Sequence, residues 1–294
     1  MMVSITEQGG ITMQTIREGV QAAIDYIETH LTEEIDVHDV AARAYVSAYH
    51  FQRIFSALCG MPLGEYVRCR RLTLAAQELA AAKHSRSPER VRVIDAAIRY
   101  GYDSPDSFTR AFRRFHGVVP CQAGLPGVML RSFAPVKIEE ATEARQPMDY
   151  RIETKEAFTV VGFQRHFHNE TSYTEIPAWW GEMMQKGMPL DGEFGVCIDA
   201  DGSEFDYLIA DRYQPGQAVP EGCITRDIPG GMWAVFPCTL GTLQDVNTQM
   251  WRDWLPACRE YRLSHNCNLE FYYPLNEADP SSSKAELWLP IQPA

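Results

Sequence analysis

One pattern occurs twice in the N-terminal half of this chain, at residues 47–55 and at residues 104–112. Each copy has a serine, a phenylalanine four positions later and a second phenylalanine four positions after that, and an arginine follows the first phenylalanine by two residues. Positions four apart lie on one face of an α-helix, and serine is a favoured N-terminal cap. The pattern therefore predicts two short amphipathic helices of the same design, so the N-terminal half must be built from duplicated helical units.

A shorter helical stretch precedes each copy. Asp36 can cap a first short helix that has Val40 on its apolar side, and a second short helix spans about 93–99. Two short helices joined by about three residues form the helix-turn-helix layout. A longer helix at about 63–82 can connect the two units. We therefore predict an all-α N-terminal domain with two helix-turn-helix units over residues 1–120.

The faces opposite the phenylalanines carry polar side chains that can read DNA bases. Arginine can pair with guanine, and glutamine with adenine, in the major groove. An ordinary polar face of a helical bundle is the alternative, but two copies with an arginine in the same place favour contact with DNA. The candidate residues are Tyr49, Gln52, Arg53, Asp106, Ser107, Thr109, Arg110 and Arg113.

The net charge of −12 is unevenly distributed along the chain. Residues 1–126 hold 14 basic and 14 acidic residues, whereas residues 127–294 hold 13 and 25. Residues 48–114 alone hold 12 basic and 6 acidic residues. This asymmetry is typical of a basic nucleic-acid reader joined to an acidic domain of another function.

Residues 15–120 resemble the DNA-binding domain of the AraC/XylS family of transcription regulators. The resemblance is carried by RAYVSAYHFQRIFSALCGMPLGEYVRCRRLTLAAQEL and by IDAAIRYGYDSPDSFTRAFRRFHGVVP. It implies that helices at 48–58 and 105–115 enter two adjacent major grooves of double-stranded DNA, with every candidate except Arg113 at a base-reading position. We also expect RNA polymerase as a partner.

Two departures from the family pattern affect this resemblance. The segment 80–92 is several residues longer than is usual between the two units, which leaves their relative placement open. Cys-Gln-Ala-Gly at 121–124 replaces the usual ending with Tyr-Arg, and a candidate phosphate contact is lost with it.

The C-terminal half has a different periodicity. Residues 121–147 contain three prolines and are predicted to be a linker with at most one short strand, at 128–133. Residues 148–294 alternate strands with helices and are predicted to form an α+β domain. The predicted strands lie near 150–163, 194–199, 205–212, 224–237, 267–274 and 284–291, and the predicted helices near 173–186 and 242–257.

The next-to-last predicted strand combines a carboxylate with aromatic side chains. Strand alternation puts Glu270 and Tyr272 on one face. Trp233, Trp288 and Tyr207 lie on other predicted strands of the same domain. The carboxylate lies either at the rim of the sheet or in an aromatic-lined pocket, where it would need a cation or an internal hydrogen-bond network because an unpaired buried charge is costly.

Residues 148–294 are similar to the GyrI-like effector-binding domain. The similarity is spread over GVCID, FDYLIA, GCITRDIPGGMWAVFPC, WRDWLP, LEFYYPLN and AELWLPI. It implies two pseudo-repeated α+β halves with a ligand cleft between them, Glu270 facing the cleft, and Trp233 and Trp288 lining it. The acidic half attracts cations and aromatic faces hold them, so we expect a small cationic or aromatic ligand.

Metal and cofactor chemistry is not indicated. His166 and His168 alternate on one strand, but no third metal ligand follows at a readable spacing, so solvent-facing or hydrogen-bonded histidines are favoured. The stretch 199–203 fails the calcium-loop spacing and is predicted to be a hairpin turn. There is no Ser-His-Asp, P-loop or GxGxxG pattern, so we predict no catalytic residue, no metal and no cofactor.

These observations predict a multidomain, ligand-responsive DNA-binding regulator. Two other functions stay open for the C-terminal domain: a hydrolase in which Glu270 activates water beside Tyr272 or Tyr207, and a protein-binding module that uses the acidic surface. The eight cysteines show no paired spacing, and neither a secretory signal nor an apolar run of about 18 residues is present. We therefore expect the cytoplasm and no membrane partner.

Overall fold

The computed structural model describes residues 16–84, 91–138, 148–199 and 204–294. Six helices form the N-terminal region, and each of the two helix-turn-helix pairs ends with a 12-residue helix. The helices are α1 (Ile16–Thr29), α2 (Val37–Ala42), α3 (Ala48–Cys59), α4 (Leu63–His84), α5 (Val93–Arg99) and α6 (Pro105–His116). The predicted multidomain fold with two helix-turn-helix units is confirmed.

The two equivalent helices begin and end with the same chemistry. The Ser47 hydroxyl accepts the backbone N–H of His50 at 3.3 Å, and the Ser104 hydroxyl accepts that of Ser107 at 3.2 Å. Each helix stops at a glycine in the left-handed region, Gly60 with φ 71° and Gly117 with φ 80°. Only glycine adopts this conformation without a steric penalty, so these serines and glycines fix the helix limits.

The C-terminal region is one antiparallel sheet with helices packed on it. The strands are β1 (Arg151–Lys155), β2 (Phe158–His168), β3 (Phe194–Asp199), β4 (Glu204–Arg212), β5 (Ile224–Ile228), β6 (Gly231–Thr239), β7 (Tyr261–Leu263), β8 (Cys267–Tyr272) and β9 (Lys284–Pro293). Helix α7 (Ser172–Gln185) follows β2, and helix α8 (Leu243–Gln249) follows β6. Helix α8 continues as a π-helical segment, Met250–Trp254, and a last turn, Leu255–Ala257.

The strand order is symmetric about the middle of the sheet. It runs β1-β6-β9-β8-β3-β4-β2-β5, and β7 adds to β9. Each half consists of a strand, a helix and two further strands, and the halves join where β3 pairs with β8. Strand β1 precedes the first half in sequence but pairs with β6 of the second half, and β5 precedes the second half but pairs with β2 of the first. This order is that of two pseudo-repeated halves.

Several predicted elements differ in detail from the structure. The strands predicted at 150–163 and 224–237 are each two strands, and no strand occurs at 128–133. The residues at 128–133 are instead held by the helices: the Phe133 backbone N–H donates to the hydroxyl of Thr73, and its carbonyl accepts from Arg70. Residues 85–90, 139–147 and the turn at 200–203 lie outside the described residues, so the domain limits stay a prediction.

The first helix-turn-helix unit and the sheet domain share one hydrophobic core. Helix α1 contributes Ile24, helix α3 contributes Phe51 and Phe55, and the C-terminal domain contributes Trp251 and Leu255. The second unit packs instead with α4 around Phe108, Phe112 and Phe115, in a separate cluster. The first unit is therefore fixed against the C-terminal domain.

Among the described residues, no helix combines the length and the apolar character that a membrane crossing requires.

Candidate functional site: the Glu270 cavity and the helices α3 and α6

A cavity of about 980 Å³ opens beside the middle of the sheet. Its walls come from α7, α8, strands β3 and β8, the segments before β3 and after β8, and one residue of α3. The residues that matter most for its chemistry are Arg53, Tyr173, Trp180, Cys197, Glu270 and Tyr272. The cavity therefore lies where the two domains meet.

The carboxylate of Glu270 is held in this cavity by two tyrosines. Its Oε2 accepts the hydroxyl of Tyr207 at 2.6 Å and the hydroxyl of Tyr272 at 2.6 Å. Burial, and after it the charge of Glu270, raises the pKa of both tyrosines well above 10. Both hydroxyls therefore stay protonated and serve as donors, while the indole N–H of Trp180 donates to the Tyr207 hydroxyl at 2.9 Å.

A glycine makes room for this network. Gly195 on β3 is the register partner of Glu270 on β8. A Cβ atom at this position would overlap the Tyr207 hydroxyl and lie 2.5 Å from Oε2 of Glu270. Glycine is thus the residue that permits the tyrosine to reach the carboxylate.

The structure corrects the expectation that Trp233 and Trp288 line the cleft. Register pairs Trp288 with Leu269 and Trp233 with Pro290, which puts both indoles on the face of the sheet opposite Glu270. Both are buried in a separate cluster, with Trp288 stacked on Phe271 at 5.3 Å between ring centroids. The aromatic walls of the cavity come instead from Tyr173 and Trp180 of α7 and from Tyr272 and Tyr273 at the end of β8.

The polar face of α3 is covered, which corrects the expectation that both reading faces are exposed. Tyr49, Gln52 and Arg53 are only 0%, 9% and 7% exposed. The covering surface is the C-terminal domain, as the hydroxyl of Tyr49 donates to the side-chain oxygen of Asn268 at 2.7 Å. The base-reading role of these three residues stays a prediction, and it requires an arrangement in which α3 has left this surface.

Two aromatic contacts complete the docking of α3. The ring of Tyr49 packs on Phe205 with centroids 5.5 Å apart, and the ring of His50 packs on Trp251 at 5.5 Å. Burial, and then the charge of Arg53, lowers the pKa of His50 to about 3. His50 is therefore neutral while α3 is docked.

Arg53 points from α3 into the cavity. Its guanidinium lies 4.9 Å from the ring centroid of Phe205 and 5.7 Å from that of Tyr173. One terminal nitrogen lies 3.9 Å from the Cys197 sulfur, and Nε is buried without a hydrogen-bond partner. Burial lowers the pKa of Arg53, but neighbouring groups that include Glu270 raise it by more, so the side chain stays charged.

The second reading helix, α6, has the opposite environment. Asp106, Arg110 and Arg113 are exposed, and Ser107 and Thr109 are half-buried. The Ser107 hydroxyl donates to the Ser104 backbone carbonyl at 2.8 Å, so it takes part in the cap of the helix. Of the two predicted reading faces, only that of α6 is open in the structure.

His166 and His168 each face an acidic partner. Their Nδ1 atoms lie 2.9 Å from Asp206 and 3.2 Å from Glu204, and both side chains are largely exposed. Among the residues with described placement, no group of three or more potential metal ligands is assembled.

Sequence reasoning missed Tyr173, Trp180 and Asn268. The indication for Trp180 was present, because it lies at helical spacing from Tyr173 and Ile176 on a helix predicted from the sequence. Asn268 gives no such signal, since its partner Tyr49 lies on the other domain.

Two family models match the chain. Residues 40–123 match a model described as a helix-turn-helix domain. Residues 151–291 match a model described as an integron-associated effector binding protein. The matched ranges contain both predicted reading helices, α3 and α6, and the cavity carboxylate, Glu270.

Curated relatives are similar to the N-terminal region. The chain is 38% identical over 95 residues to the HTH-type transcriptional activator AarP of Providencia stuartii, which is 32% of this chain and 65% of AarP, less than two thirds of that protein. It is 34% identical over 101 residues to the multiple antibiotic resistance protein MarA of Escherichia coli, which is 34% of this chain and 74% of MarA.

Solved structures also align with the C-terminal region. The structure of the protein SAV2435 bound to tetraphenylphosphonium is 17% identical, with a TM-score of 0.41, over 49% of this chain and 94% of that protein. An integron cassette protein from Vibrio cholerae is 16% identical, with a TM-score of 0.39, over 49% and 95%.

Proposed function

Because this chain belongs to the AraC family of helix-turn-helix transcription regulators, we propose that it binds double-stranded DNA through α3 and α6 and that a small molecule in the Glu270 cavity controls this binding. The observation that carries the proposal is that one chain joins the two helix-turn-helix units to a cavity with a hydrogen-bonded carboxylate. Seven of the eight candidate residues are proposed to contact bases, and Arg113 is proposed to contact DNA outside the base-reading positions.

The chemistry of the cavity supports a cationic aromatic ligand. Two tyrosine hydroxyls donate to one oxygen of Glu270 and hold the carboxylate in the cavity. Tyr173 and Trp180 offer ring faces, which attract cations at about 0.5–2 kcal/mol each. A flat or quaternary aromatic cation would therefore gain both charge pairing and apolar burial in this cavity.

Ligand sensing is favoured over hydrolysis as the function of the C-terminal domain. Glu270 Oε2 already accepts two hydroxyls from tyrosines that hold their protons, so this oxygen is occupied and poorly placed to take a proton from water. The named relatives AarP and MarA are regulators. We further propose RNA polymerase as a partner and the cytoplasm as the location, since a regulator of this family acts where transcription takes place.

Selection of duplexes from a random pool by the full-length chain tests the DNA-binding proposal. We expect enrichment of two short motifs whose centres are about 10 bp apart, because two reading helices on one face of B-DNA are separated by one helical turn. The selection is run with and without methyltriphenylphosphonium, an aromatic quaternary cation. Failure to enrich any sequence in either condition would contradict the proposed function.

A further inference from the structure

The guanidinium of Arg53 places a positive charge in a buried position. Arg53 is 7% exposed, and within the described part of the chain no carboxylate lies within ion-pair distance of its guanidinium. Burying an isolated charge is costly, and such charges are normally paired. When α3 is docked, groups other than an ion-paired carboxylate must therefore stabilise the charge of Arg53.

Aromatic rings and a carboxylate beyond ion-pair distance stabilise the charged guanidinium of Arg53. The guanidinium faces Phe205 and Tyr173, and the field of Glu270 favours its charged form. Tyr173, Cys197 and Glu270 also line the cavity. The groups that would receive a cationic ligand are thus the groups that now receive the arginine of a DNA-reading helix.

We propose that Arg53 is a specificity-determining residue of the cavity, because its guanidinium occupies the cation-accepting end and a cationic effector must displace it. This inference rests on the proposed function and deepens it. Two cations cannot share the same aromatic faces and the same carboxylate, since like charges at close range repel. Cation binding and the docking of α3 therefore exclude each other.

The exclusion connects the ligand to DNA. While α3 is docked, the hydroxyl of Tyr49 is bound to Asn268 and the reading face is covered. A cation that displaces Arg53 weakens this docking and frees the face for a major groove. Because coupling between two sites is reciprocal, DNA in turn raises the affinity for the cation.

Calorimetric titration of the full-length chain tests the role of Arg53. The probes are methyltriphenylphosphonium and triphenylphosphine oxide, which have nearly the same shape and differ in charge. In the variant Arg53→Met we expect the cation to bind about 5- to 150-fold more tightly, the usual range of coupling between sites, and the neutral oxide to bind as before. Arg53→Lys keeps the charge and should keep the affinity of the parent protein.

A matched variant separates the local charge from the overall field. Arg226 is exposed on β5, bonds to Gln164 and does not line the cavity. Arg226→Met removes the same charge and should leave both affinities unchanged. Equal tightening of both probes by Arg53→Met, or of neither, would overturn the inference while the proposed function stands. Absence of cation binding to the parent and to every variant would overturn both.

Hydrogen exchange of α3 gives an independent measurement. Saturating methyltriphenylphosphonium should accelerate amide exchange in residues 48–59 of the parent protein, whereas triphenylphosphine oxide should not. Exchange in α6 serves as the internal reference, since this helix does not contact the cavity. Unchanged exchange of residues 48–59 with the cation bound would contradict displacement of α3.

Discussion

The two carboxylate oxygens of Glu270 have different surroundings. Oε2 accepts the hydroxyls of Tyr207 and Tyr272, whereas no described residue donates to Oε1. The hydroxyls hold the carboxylate in one orientation, and Gly195 leaves the space for them. One oxygen is thus used to fix the side chain, and the other is available to a ligand.

The different surroundings of the two Glu270 oxygens predict how ligand binding changes when the charge of Glu270 is removed. Glu270→Gln keeps the shape of the side chain and removes its charge. We expect methyltriphenylphosphonium to bind about 10- to 150-fold more weakly, because a hydrogen-bonded or paired charge contributes about 1.5–3 kcal/mol. Triphenylphosphine oxide should bind nearly as before in calorimetric titration.

The control for Glu270→Gln is Glu204→Gln, which removes one negative charge from β4, where the side chain faces His168. It should lower the affinity for methyltriphenylphosphonium only slightly, because a less acidic domain attracts cations less strongly. It should leave the affinity for triphenylphosphine oxide unchanged. If both probes lose affinity equally in Glu270→Gln, the residue shapes the cavity and does not select charge.

At the scale of elements, α3 and α6 are alike in sequence and different in surroundings. Both are capped by serine and stopped by glycine, and both carry an arginine two residues after the first phenylalanine. Helix α3 is buried on both faces, whereas α6 keeps its polar face in solvent. The apolar stripe sets the length and direction of each helix, and the neighbouring domain decides which polar face stays open.

The open face of α6 predicts a base-specific role for Arg110. In Arg110→Ala we expect a loss of about 1–3 kcal/mol in DNA binding, confined to one of the two selected motifs, because a bidentate arginine–guanine pair contributes that much discrimination. Competition binding against duplexes with single base changes measures it.

Arg114 is the matched residue, an exposed arginine one turn after Arg110, toward the C-terminal end of the same helix. In Arg114→Ala, any weakening should be the same for all sequences, as expected for a phosphate contact. A uniform loss in Arg110→Ala as well would show that Arg110 positions the helix and does not read a base.

The duplicated helical units could be predicted because their signals are local, whereas the two pseudo-repeated halves of the sheet domain were expected only from the resemblance to the GyrI-like domain. Ser47, Gly60, Ser104 and Gly117 determine helix limits within a few residues of themselves. The face of Glu270 followed from strand alternation, but the faces of Trp233 and Trp288 depend on the register between strands. A shift of one residue reverses a side chain's face, and alternation within a single strand does not determine the register.

Burial of α3 could not be predicted for a related reason. Tyr49, His50 and Arg53 are polar enough for a solvent-facing surface, and nothing near them in sequence marks them as buried. Their partners Asn268 and Trp251 lie about 200 residues away. The contact depends on the three-dimensional complementarity of two domains, which one helical pattern does not contain.

At the scale of the whole molecule, the common core makes the two domains dependent on each other. Helices α1 to α3 bury Val20, Ile24 and Phe51 in the same cluster as Trp251 and Leu255. Helix α6 belongs to the other cluster and has no part in this contact. Separation of the first unit from the sheet domain therefore exposes apolar surface, and release of α3 must be compensated by contacts with ligand and DNA.

His50 makes this docking depend on pH. Its pKa is about 3 when docked, through burial and the charge of Arg53, and its ordinary value is 6.5. A lowered pKa in a basic group contributes stability that is present above pH 6.5 and is lost as the pH falls from 6.5 toward 3. Between pH 7.5 and 5.0 we expect the free energy of unfolding to fall by about 2 kcal/mol on account of this residue.

Urea denaturation of the parent and of His50→Gln at both pH values measures the effect. The fall should be smaller in the variant by that amount, since glutamine does not titrate, and the other groups contribute equally to both proteins. An identical fall in the two proteins would mean that His50 is solvated and α3 is undocked in solution.

During synthesis, α3 is made before the C-terminal residues that cover it. Helix α3 ends at Cys59, and Trp251, on which His50 packs, is added to the chain about 190 residues later. At about 5–20 residues per second of synthesis, this interval is roughly 10 to 40 s. During it, the nascent first unit exists without its cover, with its reading face and part of its apolar surface open on the ribosome. On the proposed function, each newly made molecule presents its DNA-reading face before the cavity that would control it exists.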